Sequence, residues 1–110
     1  MTRLVFADEN VKKAYDNLKD SPGEKWLYDS ISNAFKEIEK NPNAFIHIKQ
    51  KLIPKEYIKK YGIDNLWKYD LPNGWRLLYS LGRDKIEVIA IILEWLDHKN
   101  YEKRFGFRTR

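Results

Sequence analysis

The chain has 110 residues, of which 15% are aromatic and 34% charged, with no cysteine, two histidines and a formal net charge of +5. This composition excludes disulfides, thiolate metal sites and thiol nucleophiles, and it argues against a dedicated zinc centre; no cofactor is expected. No apolar run reaches the roughly 20 residues of a membrane span, and residues 1–6 are too short and too charged for a signal peptide, so one cytoplasmic domain with a single core is expected.

Residues 1–42 carry seven basic and eight acidic side chains, net −1, whereas residues 43–110 carry fourteen and eight, net +6. Such asymmetry suits an anionic partner of the second part, whether nucleic acid, membrane surface or acidic protein, although a merely lysine-rich surface has the same composition. In chain order, residues 3–6 alternate weakly as a short first strand, and Asp8 is placed to cap a helix. Val11, Ala14, Tyr15 and Leu18 then recur at helical spacing. Ser21-Pro22-Gly23-Glu24 has the form of a restart, with Ser as N-cap, Pro in the first turn and Glu completing a capping box. A longer helix with a stripe of Leu27, Ile31, Ala34, Phe35 and Ile38 follows and ends at Asn41-Pro42-Asn43. The two helices form an antiparallel pair that covers one face of a sheet.

Residues 43–65 are a basic excursion. Phe45-Ile46-His47-Ile48 has the character of a short strand, and Pro54 to Tyr61 that of one or two helical turns stopped by Gly62. Lys49, Lys51, Lys55, Lys59 and Lys60 occur there with Tyr57 and Tyr61 interleaved. This is the composition a phosphate backbone with exposed bases requires, and equally that of a solvated helix face with two packing tyrosines.

Residues 66–79 predict a β-hairpin. Pro72-Asn73-Gly74 is a three-residue connection with Gly last, suited to a type I turn followed by a left-handed bulge position. In that register Leu71 faces Trp75, Tyr69 faces Leu77 and Trp67 faces Tyr79, so these six share one side of the sheet. Lys68, Asp70, Arg76 and Leu78 share the other. A two-residue loop would scatter the charges, so the three-residue loop is the self-consistent choice. Gly82-Arg83-Asp84-Lys85 marks the next turn, and residues 86–95 form a nearly continuous apolar run that predicts a central strand covered on both sides. Asp97-His98-Lys99-Asn100-Tyr101 lies just past its end, and Lys103 and Arg104 follow in a short basic tail. The predicted class is therefore α+β, with an N-terminal strand and a two-helix hairpin packed on an antiparallel sheet of about four strands.

Lys68, Asp70 and Arg76 on one strand face, with His98 and Tyr101 delivered from the end of the next strand, converge on one patch. Cleavage of RNA through its own 2′-hydroxyl needs such a set: a base for the hydroxyl proton, cations for the charge developing on phosphate, and an acid for the 5′ oxygen. Arginine gives phosphate a fork of hydrogen bonds, lysine gives a point charge, and histidine exchanges a proton near neutral pH. No metal is required. Each residue also has an ordinary explanation: Asp70 pairing with Arg76 across the hairpin, Lys68 as an exposed strand lysine, His98 as a solvated turn residue.

The order of these elements, with Leu66-Trp67-Lys68-Tyr69-Asp70-Leu71, the Gly74-Trp75-Arg76-Leu77-Leu78-Tyr79 strand and the closing His98-Lys99-Asn100-Tyr101, resembles the RelE/ParE toxin superfamily of bacterial and archaeal toxin–antitoxin systems over nearly the whole chain. The resemblance implies a RelE-like fold and an mRNA endoribonuclease that acts with the ribosome. It places Arg76 on the scissile phosphate, Lys68 at a catalytic lysine, and Tyr101 or His98 at the proton-handling position. Asp70 stands where such toxins often carry a second basic residue and leaves a candidate carboxylate base. Lys49, Lys51, Lys55, Lys59, Lys60, Lys99, Lys103 and Arg104 would then contact RNA. The implied partners are mRNA, the ribosome and a cognate antitoxin with an acidic segment. ParE-like members share the fold but inhibit DNA gyrase without cutting RNA, and a non-toxic RNA-binding module of the same fold is a further alternative.

Overall fold

The structure is a computed structural model and describes residues 2–106. A five-stranded sheet in the order β1-β5-β4-β3-β2 forms its centre, with β1 at Thr2–Phe6, β2 at Ile46–His47, β3 at Trp67–Asp70, β4 at Arg76–Arg83 and β5 at Val88–Leu96. Four helices accompany it: α1 (Glu9–Lys19), α2 (Lys25–Lys40), α3 (Lys55–Tyr61) and α4 (His98–Phe105). The class is α+β, but the sheet is mixed and has five strands rather than about four antiparallel ones. β1 pairs β5 in parallel, with Leu4 opposite Ala90. No local turn joins these two strands, so their relative direction is set by where the helices return the chain, which strand patterning does not encode.

α1 and α2 cover one face. Val11, Leu18, Leu27, Ile31, Ala34, Phe35 and Ile38 bury against Leu71, Leu77, Tyr79, Ala90 and Ile92, with Trp67, Tyr69 and Trp75 packed at the margin. Asp8 caps α1, its Oδ1 accepting from Val11 N at 2.9 Å. Ala14, by contrast, lies exposed at the edge of the stripe. The predicted capping box does not form. The Ser21 hydroxyl instead donates to Asn17 O at 3.0 Å, a short 3₁₀ turn at Pro22–Glu24 intervenes, and α2 begins at Lys25.

The opposite face is covered as well. Ile48, Ile53, Tyr57 and Ile63 from the 43–65 excursion pack with Leu66, Leu78, Leu93 and Tyr101. Tyr57 is thus a core residue and Tyr61 half-buried, as a packing role for the two tyrosines requires. The predicted C-terminal tail is in fact α4 through Phe105, capped by Asp97 and closed by Gly106 in the left-handed region; residues 107–110 lie outside the described residues.

The hairpin keeps the predicted pairing: Trp67 opposite Tyr79, Tyr69 opposite Leu77, Asp70 opposite Arg76, with Leu71 N donating to Trp75 O at 2.8 Å. Its turn differs from the type I form, because Asn73 (φ 60°) and Gly74 (φ 78°) are both left-handed. That is the arrangement of a primed turn, whose twist matches the flanking strands. The next turn is displaced too. β4 continues through Gly82 to Arg83, and Asp84 Oδ1 accepts from Ile86 N and Glu87 N, both at 2.8 Å. This side-chain-closed turn leaves Ile86 at the loop tip, 89% exposed, rather than in the strand.

Candidate functional site

β5 carries the irregularity that positions the site. Its pairing with β4 shifts between Leu78 and Tyr79, so Leu78 opposes Glu94 and Tyr79 opposes Ile92. Leu93 is the extra residue of a β-bulge, which breaks the alternation of side chains. Beyond it Arg76 lies opposite Leu96, and the chain leaves β5 on the face that carries Arg76, Lys68 and Leu78. In an unbroken register Arg76 would oppose Trp95, and Leu96 would fall opposite Trp75 on the α1/α2 face.

Asp97 then starts α4 directly over this face, its Oδ1 accepting from Asn100 N at 2.9 Å. The start is close. A Cβ on Gly74 would lie 3.3 Å from His98 Cβ, so glycine at 74 both permits the left-handed turn and leaves room for the helix.

Five of the predicted residues are brought together there. Lys68 Nζ lies 3.1 Å and Arg76 Nε 3.2 Å from the same oxygen, Asp70 Oδ1. The two cationic side chains are 17% and 18% exposed, the carboxylate 53%. Arg76 Nη1 donates to Gly74 O. The Tyr101 ring underlies both cations, its centre 5.5 Å from Lys68 Nζ and 5.0 Å from Arg76 Cζ. Facing cations with an aromatic ring offsets part of their loss of water. Despite its approach to Asp70, Arg76 Nε is buried with no hydrogen-bond acceptor among the described residues, because the angle of that contact is unfavourable. Salt-bridge proximity and hydrogen bonding are separate conditions, and here only the first is met.

Burial is the main cause raising the Tyr101 hydroxyl above its usual range; Arg76 opposes the rise and Asp70 adds to it. The hydroxyl therefore stays protonated at neutral pH and is suited to donating a hydrogen bond. His98 is more open, its side chain 60% exposed, with Nε2 3.5 Å from Glu102 Oε1. Glu102 and the Gly74 carbonyl were not singled out from sequence. The signal for Glu102 was present: Asp97 and Gly106 bracket a helix, and positions 98 and 102 then share one of its faces.

The other predicted RNA contacts are distributed differently. Lys49, Lys51, Lys55 and Lys59 lie exposed on the 43–65 excursion and Lys99 and Lys103 on α4, with no ion pair among the described residues. Lys60 sits 4.0 Å from Asp8 Oδ2 and over the Tyr61 ring. Arg104 is engaged within the fold: it pairs with Glu94 at 3.1 Å and with Glu56, and the Tyr57 hydroxyl donates to the same Glu94. This network fastens α4 to α3 and β5. A cleft of about 260 Å³ near the α1 start is lined by Asp8, Lys60, Tyr61, Glu94 and others, and holds none of the five converging residues. Among the described residues no cluster of three or more His, Asp or Glu is arranged to hold a metal ion, and no helix is long and apolar enough to cross a membrane. The chain matches no family model, no curated protein and no solved structure.

Proposed function

We propose that this chain is the toxin of a type II toxin–antitoxin pair, a metal-independent endoribonuclease that cuts mRNA together with the ribosome. The observation that carries the proposal is the pair of largely enclosed cations from adjacent strands, Lys68 and Arg76, converging above the Tyr101 ring with one guanidinium N–H lacking an acceptor. A phosphodiester oxygen is the acceptor such a site favours.

In the proposed reaction the RNA 2′-oxygen loses its proton and attacks the adjacent phosphorus. Charge builds on the non-bridging oxygens, the bond to the 5′ oxygen breaks, and that oxygen takes up a proton. A 2′,3′-cyclic phosphate and a 5′-hydroxyl result. Arg76 and Lys68 stabilise the developing charge, and their preorganisation over an aromatic floor makes each contact stronger than it would be in water. His98, open to solvent at the rim, exchanges protons; Tyr101 orients the cations and donates a hydrogen bond. The exposed lysines of residues 43–65 extend the positive surface for the RNA backbone, and the net +6 of residues 43–110 favours an acidic segment of a cognate antitoxin.

The test is a cleavage assay and a ribosome-binding assay on the same four variants, Arg76→Ala, Lys68→Ala, His98→Gln and Tyr101→Phe. Arg76→Ala is expected to lower cleavage by about a hundredfold while affinity changes little, because the contact strengthens in the transition state. Lys68→Ala should follow the same pattern less severely. Cleavage of ribosome-bound mRNA should survive chelation, with ribosome integrity controlled, and loss of activity restored by a divalent ion would overturn the mechanism. Equal losses in binding and cleavage would refute a catalytic patch, and arrested replication with intact mRNA would assign the chain to gyrase inhibition.

A further inference from the structure

The arrangement around Asp70 does more than neutralise two cations. One carboxylate oxygen lies within 3.1 Å of Lys68 Nζ and 3.2 Å of Arg76 Nε, which is where an oxygen of a bound oxyanion has to sit. It fills that place imperfectly, since the Arg76 Nε–H remains without a hydrogen bond. Seated as it is, the Asp70 carboxylate does not meet the guanidinium edge in the paired geometry that arginine favours. A tetrahedral phosphate, free to choose its orientation, can meet Nε–H and the lysine together. The exposures point the same way: the cations are held, whereas the carboxylate is half open to solvent and free to swing out.

We propose that Asp70 is an internal counter-ion that occupies the phosphate position of this site and is displaced by a phosphate group, so that it sets how tightly the site binds phosphate. The inference rests on the assignment of Lys68 and Arg76 to phosphate binding, but not on cleavage. Asp70 and an incoming phosphate compete for the same two cations. Occupied by Asp70, the site holds Lys68 and Arg76 in place while discouraging stray anions; with Asp70 displaced, both cations face the ligand already positioned. The carboxylate side of both pairs is open to water, which weakens the attraction, so the competition can be reversed by an incoming phosphate.

The experiment uses inorganic phosphate as the probe. Binding to the full chain is followed by NMR through the Arg76 Nε–H and the amide of Trp75, in the wild type, Asp70→Asn, Asp70→Asn/Arg76→Ala and Asp16→Asn. Asp16 lies on α1, across the sheet, where it pairs with Lys12 at 3.0 Å, so Asp16→Asn makes the same change in net charge away from the site. Asp70→Asn is expected to bind phosphate about tenfold more tightly than the wild type, equivalent to about 1.4 kcal/mol. Asp16→Asn should change affinity by less than about twofold on screening grounds, and the double variant should lose the gain. Unchanged or weaker binding in Asp70→Asn, or an equal gain in Asp16→Asn, would overturn the proposal. An RNA assay on the same proteins separates the two readings. Tighter phosphate binding with no RNA cut by any variant would leave the counter-ion role intact and remove the nuclease. Cleavage abolished by Asp70→Asn without a change in phosphate affinity would make Asp70 a general base and overturn the counter-ion role.

Discussion

Leu77 and Leu78 are consecutive on β4 and both fully buried, yet they lie in different layers. Leu77 packs with the α1/α2 core and Leu78 with Leu66, Leu93, Tyr101 and the 43–65 excursion. A hairpin with one apolar and one charged face would make Leu78 the dispensable member, since it shares its side with Lys68, Asp70 and Arg76. The two-layered structure predicts otherwise. Truncating a fully buried leucine removes about 2.4 kcal/mol of transfer free energy, at roughly 0.8 kcal/mol per carbon, and the unrelaxed cavity adds to it. Leu78→Ala is therefore expected to cost about 2–5 kcal/mol, the same range as Leu77→Ala. With an unfolding entropy near 2.1 cal/mol/K per residue, a cost of about 3 kcal/mol lowers Tm by roughly 13 °C in a chain of this length. Urea unfolding of both variants, with Tm measured alongside, provides the check. The two should also part in one respect: Leu78→Ala loosens the packing beneath Tyr101 and should disturb the Arg76 site, whereas Leu77→Ala should leave it unchanged. A cost below about 1 kcal/mol for Leu78→Ala would refute the second layer.

Gly74→Ala is expected to destabilise the fold by about 1–2 kcal/mol, because φ is +78° there and the new methyl would press on His98 Cβ at 3.3 Å; urea unfolding and a shifted His98 ring signal would show it, and an unshifted ring would separate the turn from the site. Tyr69 donates to Glu37 Oε2 at 2.5 Å, and burial first, then this bond, pushes its hydroxyl up to about 12. The neutral form is the one the fold favours, so this contribution is fully present below the ordinary value of 10.0 and is lost as pH rises from there to about 12. Tyr69→Phe should consequently flatten part of the decline in stability above pH 10, as measured by urea unfolding at a series of alkaline pH values; an identical slope in both proteins would refute that share.

Elements with a local code were legible in the chain. The stripe Leu27, Ile31, Ala34, Phe35 and Ile38 is buried as its 3.6-residue spacing requires. Asp8 caps α1, and Gly62 ends α3 in the left-handed region. The three-residue loop and the alternation around it were enough to set the β3–β4 register and to place Lys68, Asp70 and Arg76 on one face. Local signals failed where two of them competed. Ser21 had a capping pattern, but its hydroxyl found the carbonyl of Asn17 in the preceding turn; Asp84 closed a turn two residues beyond Gly82 because its carboxylate met two backbone N–H groups.

The sequence by itself therefore determined α1, α2 and α3, the hairpin and the face on which its charges stand, because each depends on contacts between residues close in the chain. An unbroken apolar run in β5 already called for cover on both sides; tertiary structure alone decided the parallel edge of β1, that residues 43–65 supply the layer over the charged face, and the meeting of α4 with Arg76. These depend on partners far apart in sequence and on one extra residue in β5. The bulge at Leu93 turns Leu96 to the side of Arg76, and from there α4 carries Tyr101 beneath both cations and His98 beside Gly74. An apolar run reads the same with or without a bulge, so its pattern could not reveal the shift. Only pairing against β4, with Leu78 opposite Glu94 and Tyr79 opposite Ile92, fixes which way the end of the strand faces.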